Sequence, residues 1–285
     1  MSKILDYNKV FETLVNETAQ YLIDNHLKTM VLGISGGLDS TVCAAICSEV
    51  VNRFPSQKFR FIGVSLPCSS NKENENNSAL LTMKAFCRED DYWVENLQKE
   101  YMLMKATCEQ HFSSTRISQG NIKARLRMIY LYNIASVMNG LVIDTDNMTE
   151  NNLGFFTIHG DVCDFNPIGG LWKHEVYELA RNLYSFTFNL IPDKFNALKA
   201  ACDITPTDGN GVADGGDMAQ IAPGHTYEEV DDILQSFLDK GDEGIVECYK
   251  KYGTETVSKV LRRHEKSAFK RKHLPIVIKR ELYEN

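Results

Sequence analysis

Apolar residues along the chain fall into short continuous runs that alternate with longer stretches of helical spacing. Four apolar runs predict buried strands, at 29–34, 59–65, 92–94 and 141–143. Helical spacing predicts helices over these ranges: 5–26, 38–54, 79–87, 97–112, 120–138, 174–187, 227–238 and 254–266. Strands that alternate with helices in this way predict an α/β fold, with a parallel sheet covered by helices on both faces.

The first strand runs directly into a glycine turn and a helix. Two glycines in the turn, Gly36 and Gly37, allow the backbone to bend tightly and leave its N–H groups uncovered. The helix that follows has its positive end at the turn, which suits an anion. Asp39 lies where a carboxylate can hold Mg²⁺ beside phosphates. One apolar stripe is expected on this helix, formed by Leu38, Val42, Ile46, Val50 and Phe54.

A second polar segment, 144–154, leaves the carboxyl end of the fourth predicted strand. Ligands of parallel α/β sheets bind at the carboxyl ends of strands. The glycine turn and this segment are therefore expected to share one site.

The string Gly33-Ile34-Ser35-Gly36-Gly37-Leu38-Asp39-Ser40 resembles the pyrophosphate loop of the ATP pyrophosphatase superfamily. Enzymes of this superfamily split ATP into AMP and pyrophosphate. The string lacks the Gly-Lys-Ser/Thr ending of a Walker A loop. By itself it leaves the second substrate open.

Four stretches downstream of the loop narrow the resemblance to the NAD synthetase family. They are Gly120 to Met128 (GNIKARLRM), Asp144-Thr145-Asp146 with Glu150, Gly154-Phe155-Phe156-Thr157 with Gly160-Asp161, and Pro167 with Lys173. The match covers about 11–275. It implies a Rossmann-like (adenine nucleotide alpha hydrolase-like) fold in a single domain, 1–285. It also implies amidation of nicotinic acid adenine dinucleotide (deamido-NAD) by ammonia, dependent on ATP and Mg²⁺. That reaction passes through an acyl-adenylate, releases AMP and pyrophosphate, and is the final step of NAD biosynthesis.

The resemblance also implies roles for individual residues. Asp39 and Lys173 would be catalytic, and Asp39 and Glu150 would bind Mg²⁺. ATP would contact Gly33, Ile34, Ser35, Gly36, Gly37, Leu38, Asp39, Ser40, Thr145, Lys173 and Thr207. Deamido-NAD would contact Arg125, Asp164, Phe269 and Lys270. The sequence departs from the family pattern at Ser65, where an arginine is usual, and at Ile158, where a lysine is usual.

Charge, hydropathy and cysteine usage narrow the setting. The formal net charge of −7 argues against a general nucleic-acid-binding surface. The chain has no apolar run long enough for a membrane span and no signal-peptide core at its start, so it is expected to be cytoplasmic. The eight cysteines form no C-x-x-C pair, which makes a structural zinc site improbable. His159, His174 and His225 have no paired acid in the sequence and are interpreted as structural.

Several features remain alternatives or expectations. The segment 203–225 contains five glycines and is either disordered or a moving lid, with the lid preferred. The tail 260–285 is expected to complete the substrate site. Arg127 fits a substrate contact and a solvated helix face equally well.

Ammonia source, assembly and competing functions also follow from the resemblance. The glycine loop begins at residue 33, which leaves no room for an N-terminal amidase domain, so free ammonia is the expected nitrogen source. A separate glutaminase subunit is not indicated. A homodimer is implied, with the helices at 97–112 and 120–138 as its interface. The competing functions are a tRNA-modifying ATP pyrophosphatase and a non-catalytic nucleotide sensor.

Overall fold

A computed structural model describes residues 6–68, 71–207 and 217–272. Its central sheet has the strands β1 (Thr29–Gly33), β2 (Arg60–Ser65), β3 (Tyr92–Val94) and β4 (Gly140–Val142). Their order is β3-β2-β1-β4, and all three pairings are parallel. The predicted strands and the parallel α/β fold are thus confirmed.

Helices surround the sheet in chain order. The helices are α1 (Tyr7–Asp24), α2 (Leu38–Arg53), α3 (Glu73–Phe86), α4 (Gln98–Cys108), α5 (Arg116–Val137), α6 (Met148–Leu153), α7 (Lys173–Asn182), α8 (Pro192–Asp203), α9 (Asp217–Ile221), α10 (Tyr227–Lys240), α11 (Asp242–Tyr252) and α12 (Thr254–Lys266). A π-turn, Leu183–Thr187, extends α7. The sequence patterns did not predict α6, α8, α9 or α11.

Alternate residues of β1 point to opposite faces of the sheet, as strand geometry requires. Met30 and Leu32 join a hydrophobic cluster with α1, α2, α3, α7 and α8. Val31 joins a second cluster with α4 and α5 on the other face. The sheet is therefore covered on both faces.

The prediction of a single apolar stripe on α2 is wrong. Twelve of its sixteen residues are buried, including Ser40, Thr41 and Ser48. The reason is that α1, α3, α7 and α8 pack on the sides of α2 that do not contact the sheet. A helix enclosed in this way is covered nearly all round.

The C-terminal helices form a third hydrophobic cluster. Val230, Ile233 and Leu234 of α10 pack with Val257 and Val260 of α12, and with residues of α6 and α11. The predicted loop 203–225 contains the short helix α9, whereas its residues 208–216 lie outside the described part of the chain, as do 273–285 of the predicted tail. Among the helices of the described ranges, none has the length and apolar character needed to cross a membrane.

Candidate active site

The candidate site lies where the strand order reverses, between β1 and β4. The chain runs outward from β1 to β2 and β3, then returns to place β4 on the other side of β1. Loops that leave the carboxyl ends at such a point diverge and form a crevice. The glycine loop (33–40) follows β1, and the acidic loop (143–147) follows β4. The expected shared site is therefore formed by adjacent strands.

Hydrogen bonds hold the glycine loop in a tight turn. Ile34 N donates to Val64 O at 2.8 Å, and Gly36 has a φ of +85°. The Ser35 and Ser40 hydroxyls lie 3.0 Å apart, and Ser40 Oγ donates to Gly37 O at 3.1 Å. Ser40 is buried and Ser35 is exposed. Ser40 thus shapes the loop, while Ser35 is the hydroxyl presented to a ligand.

Lys173 connects the glycine loop to α6. Its buried ammonium donates to Asp39 Oδ2 and, at 3.3 Å, to Glu150 Oε1. Burial alone would lower the pKa of Lys173, but the two carboxylates outweigh it and raise the pKa well above its usual value. The three residues predicted to be catalytic or metal-binding are therefore brought together around one positive charge.

The sequence of α6 explains how Glu150 reaches this position. Asn147 is the N-cap and accepts from Glu150 N at 3.0 Å, while Glu150 Oε2 accepts from Asn147 N at 3.1 Å. This reciprocal capping box leaves Glu150 Oε1 facing Lys173. Asn147 Nδ2 also donates to Asp39 Oδ1 at 2.9 Å. Glu150 thus caps its helix with one oxygen and serves the site with the other.

Buried carboxylates make the adjacent acidic loop strongly negative. Asp144 accepts from Asp146 N, Cys163 N and Asn166 Nδ2 at 2.7, 2.8 and 3.1 Å. Burial nevertheless raises the pKa of Asp144 to about 6, and burial likewise raises the pKa values of Asp146 and Asp161. Thr145 is half-buried in the same loop. A crevice with this charge favours cations and requires positive charge beside any phosphate.

Thr207 lies next to the glycine loop through α3. Its hydroxyl donates to Glu75 Oε1 at 2.7 Å. The backbone of Glu75 lies directly over Gly36, and Ser78 Oγ donates to Gly36 O at 2.8 Å. The first turn of α3 therefore joins the predicted ATP contact to the loop.

Arg127 occupies the region where the family's usual arginine is replaced by Ser65. Its Nε donates to Leu66 O at 3.0 Å, and its Nη2 donates to Asn71 Oδ1 at 3.1 Å. Arg127 is half-buried, so it is not a solvated surface residue. It supplies a positive charge at the carboxyl end of β2.

The predicted substrate contacts Arg125 and Asp164 both have partners within the chain. Arg125 Nη2 donates to Ile158 O at 3.1 Å. Asp164 accepts from Val142 N at 2.9 Å and from Tyr132 OH at 3.0 Å. Neither residue contacts Lys173 or the glycine loop in these hydrogen bonds. Both lie along the β4–α5 side of the crevice.

The tail residues Phe269 and Lys270 lie beyond the C-terminal end of α6. Lys270 Nζ donates to Gly154 O at 2.8 Å and to Phe156 O. Burial, and then the charge of Arg263, lower the pKa of Lys270. Phe269 is 57% exposed and borders a groove of about 350 Å³. Five positive side chains line this groove: Lys259, Arg262, Arg263, Lys266 and Lys270.

Sequence reasoning missed a buried aspartate behind the site. Asp231 on α10 is fully buried and lies 2.8 Å from His174 Nδ1. Burial lowers the pKa of His174, but Asp231 outweighs it and raises the pKa overall. The interpretation of His174 as having no paired acid is therefore wrong. The acid lies 57 residues away on another helix, so no local pattern could indicate it.

Comparison with known proteins agrees with this geometry. The profile of a family described as NAD synthase matches residues 10–274. An NH(3)-dependent NAD(+) synthetase from Shewanella amazonensis is 35% identical over 230 residues, 75% of this chain and 78% of that protein. One from Methanosarcina acetivorans is 30% identical over 273 residues, 94% of this chain and 96% of that protein.

Two solved structures are similar over almost the whole chain. The NMN synthetase from Francisella tularensis has a TM-score of 0.76 and 26% identity, and covers 96% of this chain and 99% of its own. The NH3-dependent NAD synthetase from Campylobacter jejuni has a TM-score of 0.72 and 26% identity, and covers 96% of this chain and 100% of its own. The family match extends over far more than half of the sequence. The chain therefore belongs to the NAD synthase family.

Proposed function

We propose that this chain amidates deamido-NAD with ammonia at the expense of ATP, and releases NAD, AMP and pyrophosphate. The observation that carries the proposal is the convergence of Asp39, Glu150 and Lys173 beside the glycine loop. The relatives named NH(3)-dependent NAD(+) synthetase support the choice of reaction over a tRNA-modifying enzyme. The presence of both carboxylates argues against a nucleotide sensor without catalysis. Cytoplasm is the expected location.

In the first step the deamido-NAD carboxylate attacks the α-phosphorus of ATP. A phosphorus–oxygen bond forms and the bond to pyrophosphate breaks, which gives an acyl-adenylate. Because both reactants are anions, the site must supply positive charge and hold them in line. The open N–H groups of the glycine loop and the Lys173 ammonium provide donors for the phosphates.

In the second step ammonia attacks the activated carbonyl carbon. A carbon–nitrogen bond forms, the bond to AMP breaks, and the nitrogen releases a proton. The buried carboxylates Asp144 and Asp146 make the neighbourhood negative, which favours the approach of an ammonium cation.

Mg²⁺ fits the two carboxylates at the centre of the site. Asp39 and Glu150 both reach the same Lys173 ammonium, so their oxygens converge on one point. Two carboxylates that leave further positions to phosphate oxygens are typical of magnesium sites in ATP-dependent enzymes. When bound, Mg²⁺ would neutralise phosphate charge and polarise the phosphorus–oxygen bonds. Lys173 would then exchange a carboxylate partner for phosphate.

We further propose that the acceptor substrate lies between the β4–α5 side of the crevice and the tail groove. Arg125 and Asp164 would hold one end, and Phe269 and Lys270 the other. The single domain 1–285, the lid 203–225 with its ATP contact Thr207, and the contribution of the tail 260–285 belong to this proposal. A mononucleotide acceptor is the second candidate, because the Francisella tularensis structure is described as an NMN synthetase.

The change Lys270→Ala is expected to raise the Michaelis constant for deamido-NAD several-fold more than that for ATP. The ammonium ties the Gly154–Phe156 backbone to the tail and adds positive charge to the groove. Steady-state kinetics with each substrate varied in turn measures both constants. Lys272→Ala is the control, since Lys272 is an exposed lysine of the same basic run. An unchanged constant for deamido-NAD would remove the tail from the site.

The proposed homodimer rests on the outer surface of α4 and α5. These helices expose apolar side chains that a monomer would leave in water, among them Met102, Leu103, Met104, Ile117, Ile129 and Val137. Light scattering on the purified chain tests the assembly. A monomer at micromolar concentration would contradict it.

A product assay tests the proposed function directly. The purified chain is mixed with ATP, Mg²⁺ and deamido-NAD, once with ammonium and once with glutamine, and again with nicotinate mononucleotide as acceptor. NAD and AMP formed with ammonium only would support the proposal. Activity with glutamine would indicate an amidase function in this chain, and product from the mononucleotide alone would change the acceptor. No amidation under any condition would favour the RNA-modifying alternative.

A further inference from the structure

The carboxylate of Asp231 joins the two helices that carry Glu150 and Lys173. Thr149 Oγ1 donates to Asp231 Oδ1 at 2.5 Å. His174 N donates to Asp231 Oδ2 at 3.0 Å. Thr149 immediately precedes Glu150, and His174 immediately follows Lys173. One carboxylate on α10 therefore holds the direct neighbours of both residues.

The Thr149 hydroxyl extends this contact to Lys173 itself. It accepts from Lys173 N at 2.9 Å while it donates to Asp231. The first N–H groups of a helix have no partner within that helix. Here the first two of α7 are satisfied by residues of α6 and α10. The start of α7 is thus fixed by this network rather than by a local side-chain cap.

Burial separates these residues from direct contact with substrates. Asp231 is 0% exposed and Thr149 is 1% exposed, whereas the Asp39 and Glu150 side chains are 15% and 19% exposed. Any effect of Thr149 or Asp231 on the reaction must therefore pass through the residues that they hold. Both hydrogen bonds of Thr149 need its hydroxyl, since a valine of the same shape can make neither.

Building on the proposed function, we infer that Thr149 and Asp231 are positioning residues for the amidation reaction. They fix the separation of the Glu150 carboxylate and the Lys173 ammonium, and so place both groups against Mg·ATP. A buried network that is fully hydrogen-bonded holds one geometry. Displacement of catalytic groups by about 1 Å is enough to lower rates by about 100-fold.

The test compares Thr149→Val with Thr149→Ser and with Thr29→Val. Thr29 is a matched control, because its buried hydroxyl donates to Met138 O at 2.8 Å at the opposite end of the sheet. Steady-state kinetics measures kcat, and calorimetry measures Mg·ATP affinity with no acceptor present. Thr149→Val is expected to lower kcat by about 30-fold and to weaken Mg·ATP binding several-fold. Thr149→Ser, which keeps the hydroxyl, is expected to restore most of both, and Thr29→Val to change neither.

A merely structural role for Thr149 predicts a different result. The melting temperature would fall as it does in Thr29→Val, while Mg·ATP affinity stayed at the wild-type value; that outcome overturns the inference. If Thr149→Val does not fold, Asp231→Asn gives the same comparison, because asparagine keeps the volume but cannot accept on both atoms. A wild-type chain that binds Mg·ATP but forms no amide would contradict the proposed function, and the calorimetric comparison would still decide the positioning role.

Discussion

Asp39→Asn and Glu150→Gln are each expected to lower kcat by at least ~100-fold while the chain remains folded. Each change keeps the size of the side chain and removes its negative charge. The site then loses one of the two carboxylates that hold the Lys173 ammonium and that would bind Mg²⁺. Product formation with saturating ATP, Mg²⁺ and deamido-NAD gives kcat, and circular dichroism reports the fold.

Asp91→Asn is the matched control for these two variants. Asp91 is a buried carboxylate paired with Arg60 at the amino end of β2, away from the site. Its loss is expected to reduce stability, because Arg60 is left without its partner, and to leave kcat nearly unchanged. Near-normal turnover in either Asp39→Asn or Glu150→Gln would rule out the two-carboxylate site.

Gly36→Ala is expected to lower the free energy of unfolding by at least ~2 kcal/mol and to remove most activity. The φ of Gly36 is +85°, and a Cβ there would lie 2.1 Å from Glu75 O and 2.7 Å from Ala79 N. Both are backbone atoms of α3, so the loop or the helix has to move. Chemical denaturation gives the free energy, and the product assay gives the activity.

Gly37→Ala is the control for the stability effect alone. Gly37 has a φ of −81°, and the nearest atom to its built Cβ is Ser35 Oγ at 3.4 Å, an ordinary contact. We expect a loss of less than ~1 kcal/mol. Equal destabilisation by the two alanines would show that the close approach of α3 does not determine the shape of the loop.

The sheet was predictable from sequence because its strands are short, continuous apolar runs with polar ends. The pattern was less informative for helices that contribute little apolar surface, such as α6 with its six residues. The shape of α2 was misjudged because its outer faces are covered by α1, α7 and α8, which are distant in sequence. Periodicity reports one covered face and cannot show how many layers lie outside it.

The roles of individual site residues came from the family resemblance, whereas their contacts required the structure. Lys173 lies 134 residues from Asp39, and Asp231 lies 82 residues from Thr149. No spacing rule links residues so far apart. The same limit explains Arg127, whose sequence context fitted two roles and whose hydrogen bonds to Leu66 and Asn71 favour one.

The enclosure of α2 also has a consequence for how the native state opens. Amide hydrogens of a helix buried in the largest hydrophobic cluster exchange with solvent only when the whole domain unfolds. Helices α10 and α12 belong to a smaller, separate cluster, and can detach at lower free energy. The glycine loop therefore starts from the slowest-exchanging part of the protein, while the tail groove rests on a part that can open by itself.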